Sequence, residues 1–127
     1  MDLLKIGSDW LQNQRSKFLT RKIVYQRDTA SVEVLATVGK TIFRVDTGYG
    51  RIERLESRDY LITVADLILD GQVTLPEPGD QVRETEDSTS FVYEVMAPGN
   101  EPAYRYSDPY RKTLRIHTKL VARETLP

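Results

Sequence analysis

Catalysis and metal binding each need a few reactive side chains, and this chain carries few of them. It has one histidine, His117, and no cysteine. A histidine can serve as a base, a proton carrier or a metal ligand near neutral pH, but each role needs partners. Aspartate or glutamate could supply them, yet no second histidine exists and no motif ties a serine or threonine to His117. Gly-x-Ser-x-Gly is absent, as is Gly-x-x-x-x-Gly-Lys-Ser/Thr. Gly48-Tyr49-Gly50 lacks the third glycine and following helix of a dinucleotide fingerprint, so it reads as a turn. Glu84, Glu86 and Asp87 lack the alternating spacing and terminal glutamate of a calcium loop. They read as a solvated hairpin tip. Arg51, Arg54 and Arg58 are offset by three and four residues, so a strand would not put all three on one face to clamp a phosphate. His117 then reads as a half-buried strand histidine bonded to a neighbour, without a catalytic partner. No catalytic, cofactor-binding or metal-ligating residue is assigned, and the chain does not read as an enzyme.

What remains are residues suited to contact. Tyr104, Arg105, Tyr106, Tyr110 and Arg111 surround a Ser107-Asp108-Pro109 turn. Tyrosine and arginine are enriched at the centres of protein interfaces. Tyr104 and Tyr106 would share a face of a strand. They could close the open end of a small sheet in cis, contact a neighbouring subunit, or do both. Trp10 is the other candidate contact residue, with a core anchor between helix and sheet as its alternative role. The segments 74–80 and 97–101 are long connections of the kind that often carries contacts.

These residues need elements to hold them. Trp10, Leu11, Gln14 and Phe18 fall at helical spacing after Gly7, with Ser8-Asp9 as cap, which predicts an N-terminal helix within residues 1–20. From Arg21 onward the pattern is β. Strands are expected at 22–27, 31–38, 41–46, 51–63, 81–85, 90–96 and 112–118. Gly39-Lys40 should break the second from the third, and residues 56–59 suggest a bend or bulge in the long fourth. Residues 64–69 fit either a helical turn or more strand. Asp70-Gly71 and Pro76-Glu77-Pro78-Gly79-Asp80 are turns. The expected fold is all-β, a small barrel or sandwich of about seven short strands with one N-terminal helix. It forms a single domain with a helix over 1–20, a β core over 21–119 and a polar tail over 120–127.

Composition narrows the partners. The chain has 127 residues, 18 Lys+Arg against 19 Asp+Glu, and a formal net charge of −1. That balance argues against a dedicated nucleic-acid binder. No apolar run approaches the length of a membrane span. Residues 1–5 lack the pattern of a secretory signal, so an intracellular product is expected. Without cysteine, stability must come from packing or assembly.

Four segments, taken in order, carry a resemblance. They are Gly7-Ser8-Asp9-Trp10-Leu11, Ser57-Arg58-Asp59-Tyr60-Leu61-Ile62, Glu77-Pro78-Gly79-Asp80, and the run from Tyr106-Ser107-Asp108-Pro109-Tyr110-Arg111 through Arg115-Ile116-His117-Thr118-Lys119. Together the chain resembles small head–tail joining proteins of tailed bacteriophages, also called head completion, connector or stopper proteins. The resemblance implies a structural protein of the virion neck, assembled in the host bacterial cytoplasm. It implies a homo-oligomeric ring below the portal or adaptor that docks the tail and helps retain packaged DNA, which passes through the lumen without sequence-specific binding. It implies a β-barrel-like core and no cofactor or catalytic residue. The alternative class is a small β-barrel interaction module of a cellular complex.

Overall fold

The structure, a computed structural model, describes residues 20–46 and 48–125. The expected helix and Trp10 lie outside the described residues. Within them the chain is built of strands, as expected: β1 (Thr20–Arg27), β2 (Ala30–Asp46), β3 (Ile52–Thr63), β4 (Ile68–Leu69), β5 (Gln72–Val73), β6 (Gln81–Glu86), β7 (Thr89–Val95), β8 (Tyr104–Tyr106) and β9 (Thr113–Thr125). A single 3-10 turn, Val64–Asp66, separates β3 from β4.

Every large ladder is antiparallel. β1 pairs with β2, β2 with β3, β3 with β9, β9 with β7, β7 with β6, and β6 with β1. The pairings return to their starting strand, so the sheet closes on itself and leaves these six strands no open edge along the shared stretch. β8 lies outside this circuit as a short ribbon on β9, and β4–β5 form a separate two-stranded hairpin. The core follows the alternation of the sequence. Ile23 and Tyr25, Val34 and Ala36, Tyr60 and Ile62, and Leu114 and Ile116 are buried pairs two residues apart. Leu67 and Leu69 plug the end next to the β1–β2 turn.

Three expectations are corrected. Gly39-Lys40 does not break a strand: β2 runs unbroken for 17 residues. A Cβ at position 39 would lie 3.2 Å from the Arg115 guanidinium, so glycine here admits a neighbour instead of ending an element. Residues 56–59 hold no bulge, since β2–β3 pairing runs in one register from Thr37↔Leu61 to Asp46↔Ile52. The irregularity lies in the β7–β9 ladder beside Val92/Tyr93, where Val121 is skipped. Residues 120–127 are not simply a tail, because Leu120, Ala122, Arg123, Glu124 and Thr125 pair with β7.

Strand lengths set the shape. β1 meets β2 only as far as Thr37, and β3 meets β9 only as far as Arg58. Beyond those points β2 and β3 continue together as a two-stranded arm over 41–57. β9 instead continues with β7 and β6. The sheet therefore forks at this end.

Candidate functional site

Where the fork begins, the strands bury polar side chains. On the outer face, Ser57 and Asp59 of β3 and Arg115 and His117 of β9 point the same way, because Asp59 is paired with His117 and Leu61 with Arg115. Asp59 is 0% exposed. Its Oδ1 accepts from Ser57 Oγ at 2.5 Å and lies 2.9 Å from His117 Nδ1. Its Oδ2 accepts from Arg115 Nε at 2.7 Å and from the Thr41 hydroxyl of β2. Burial alone would raise this carboxyl, but the bonds from His117, Ser57, Thr41 and Arg115 outweigh it and hold it well below the usual carboxylate range. An ionised carboxylate only accepts, so His117 Nδ1 carries the proton. Arg115 also donates to the Lys40 carbonyl at 3.0 Å, and Phe43 stands edge-on to the His117 ring at 4.9 Å.

Serine, histidine and aspartate thus meet in one place, a grouping the sequence reading did not find. They do not form a nucleophilic triad. That chemistry needs the hydroxyl on one ring nitrogen and the carboxylate on the other. Here Ser57 Oγ lies 3.4 Å from Nδ1, the nitrogen already bonded to Asp59, and donates its proton to the same carboxylate. The cluster ties β2, β3 and β9 together just before the arm leaves the closed sheet.

On the inner face a second carboxylate is held in the same manner. Glu84, expected at a solvated hairpin tip, is buried instead. Arg58 donates to it from Nη2 at 2.8 Å and from Nε at 3.1 Å, and the Tyr60 hydroxyl donates to the same Oε1. Arg58 also lies over the Tyr93 ring at 5.0 Å. Burial, then the bond to Glu84, pushes the Tyr60 phenol far up. At the opposite end Asp80 takes a fork from Arg27, at 2.9 and 2.8 Å, and a bond from Tyr25 Oη at 2.5 Å. Burial would raise Asp80, but Arg27, Tyr25 and the Glu77 backbone N–H hold it low.

The signal for these pairs lay in strand alternation. Ser57 and Asp59 fall on one side of β3, and Arg58 and Tyr60 on the other. A run of charge in mid-strand reads as a bend until its cross-strand partners are known. Among the described residues, no group of three or more His, Asp or Glu is placed to hold a metal. No helix of the described residues is long and apolar enough to cross a membrane.

The structure brings most of the expected contact residues together. Tyr104 and Tyr106 lie on one face of β8, partly buried against the core, with rings 6.0 Å apart and edge-on. That is the cis packing. Arg105 points outward, and Arg111 folds back over the Tyr106 ring at 5.6 Å. Tyr110 is 79% exposed. Asp108 organises the turn, accepting from the backbone N–H groups of Lys112, Thr113 and Tyr110 at 2.9, 2.8 and 3.2 Å.

The polar side chains that could do chemistry are therefore spent on holding strands. What the domain offers outward is surface: an arm at one end, and the β4–β5 hairpin with the Asp108 turn towards the other. The fold and its polar clusters define a structural β domain. The family model described as phage head-tail joining protein matches residues 1–125, and the chain belongs to that family. No curated protein matches the chain. Membership makes it a structural component of the phage neck, working with head and tail proteins.

Proposed function

We propose that the protein forms a homo-oligomeric ring between the portal or adaptor and the tail, where it docks the tail and helps retain packaged DNA. Family membership over residues 1–125 carries this reading. The fold supports it, because the closed sheet presents different surfaces at its two ends. In a barrel-like subunit of this kind, neighbours and adjacent layers are gripped by the arm and the loops, not by the core. The near-neutral charge suits a ring held by protein contacts, with DNA passing through its lumen without sequence-specific binding. Trp10, Arg105 and Tyr110 are the proposed contact residues, with Tyr104, Tyr106 and Arg111 holding the clasp in shape. Assembly takes place in the host bacterial cytoplasm, and the mature site is the virion neck.

The test uses DNA-filled heads that lack this protein. Adding purified protein should protect the packaged DNA from nuclease and allow tails to attach, and electron microscopy should show added density below the portal. If heads, portals and tails all fail to bind it, the reading is wrong.

A further inference from the structure

The two ends of the molecule carry surfaces of opposite character. Even-numbered positions of the arm share one face. On it Arg44 is paired directly across the ladder with Arg54, a like-charge pair that disfavours the isolated hairpin. Neither arginine makes an ion pair among the described residues. Exposed aliphatics flank them, Ile42 on one side and Ile52, at 70% exposure, on the other. Of the acids on this face, Glu56 is engaged by Lys40 at 3.9 Å, and Asp46 Oδ1 accepts from the Gly48 N–H at 2.9 Å.

The far end reverses the charge. The β4–β5 hairpin pairs Ile68 with Val73, both exposed, the latter at 58%. Asp66 in the 3-10 turn and Asp70 in the hairpin turn flank this pair, and neither has an ion-pair partner among the described residues. β2 joins the two surfaces. It starts at Ala30, beside β4, and ends at Asp46 on the arm, roughly 50 Å of strand at ~3.3 Å per residue.

We propose that copies of this chain associate head to tail, the Arg44/Arg54 face of one arm docking on the Asp66/Asp70 face of the next copy's β4–β5 hairpin. The Arg44/Arg54 pair faces the two aspartates, and Ile42 and Ile52, which lie on either side of it, pack beside the Ile68/Val73 pair. The two faces differ, so the contact is heterologous, and a heterologous contact repeated with a constant rotation closes into a ring. Surfaces near opposite ends of a long subunit suit a ring of many copies, in which each turns only slightly from the last. The proposal rests on the ring reading above and names the surfaces that build it.

Charge exchange tests it. Sedimentation velocity at low ionic strength should show association of the wild type that weakens with added salt. Arg44→Glu with Arg54→Glu, and separately Asp66→Lys with Asp70→Lys, should each weaken association at least about tenfold. Joining all four changes in one chain, or mixing the two double variants, should restore it. Because the chain has no cysteine, Ile42→Cys with Val73→Cys should give a disulfide-linked ladder on oxidation, whereas Leu35→Cys with Val73→Cys should not. A ladder supports the contact even where sedimentation detects only monomer. Association indifferent to the charge changes, weakening that the four-fold variant fails to restore, or an associating chain without a ladder would overturn these surfaces and leave the ring reading standing. A chain that neither associates nor cross-links overturns both.

Discussion

Asp59 is bonded by four side chains from three strands, and the direction of its effect on stability follows from that enclosure. Removing it leaves Arg115 half-buried and His117 buried without their acceptor. Asp59→Ala should therefore cost about 3 kcal/mol or more in urea unfolding, the range found when one partner of a buried pair is deleted. Tyr60→Phe removes a single donor from Glu84 while Arg58 remains, and should cost about 1–2 kcal/mol in the same measurement. Acid should act through Asp59 and Asp80. Both carboxyls sit lower in the folded state than in the unfolded chain. Below the ordinary carboxylate value of about 3.9, the unfolded chain takes up protons that the folded state refuses. The stabilisation they provide is complete above that value and is lost as pH falls below it. Urea midpoints measured against pH should drop steeply on the acid side, and Asp59→Asn should make that drop shallower.

At the scale of elements, the arm and the end of β9 separate assembly from folding. No described residue of 44–54 is buried, and the hydrophobic core stops at Tyr60 on β3. Replacing residues 44–54 by Asn-Gly, a two-residue hairpin turn, keeps the Phe43↔Leu55 pair and the Phe43 contact with His117. The shortened protein should unfold within a few degrees of the wild type, yet fail to associate. The end of β9 should behave in the opposite way. A stop after Lys119 removes the partners of Thr89–Tyr93 and uncovers Val92, which is buried. Val92 alone accounts for about 1.5–3 kcal/mol. Thermal unfolding should show a large fall for this variant, whereas a disordered tail would lose nothing.

For the molecule as a whole, closure is the consequence that no single element contains. β9 follows the other described strands in sequence and pairs with both β3 and β7, so the circuit forms only when β9 is in place. The strand pattern was legible segment by segment, because alternation of Val34/Ala36 or Tyr60/Ile62 with polar neighbours reports burial directly. The boundaries that failed are the ones decided by contact. Gly39 reads as a breaker alone and as a slot for Arg115 once β9 is beside it. Leu120–Thr125 reads as a polar tail alone and as a strand once β7 supplies its partners. The polar clusters were hidden for the same reason, since Asp59 and His117 are 58 residues apart in the chain.

By itself the sequence determined the all-β class, the turns at Asp70-Gly71, Gly79-Asp80 and Asp108-Pro109, and, through segments spread along the chain, the resemblance to phage joining proteins that family membership bears out. Those features depend on local periodicity and residue type, which are present before folding. Only the tertiary structure decided that the sheet closes, that three carboxylates are held by arginines within it, and that two unlike surfaces stand near opposite ends. Each of these is a property of pairs distant in the chain, and the closed sheet is what brings them within hydrogen-bonding reach or sets them apart.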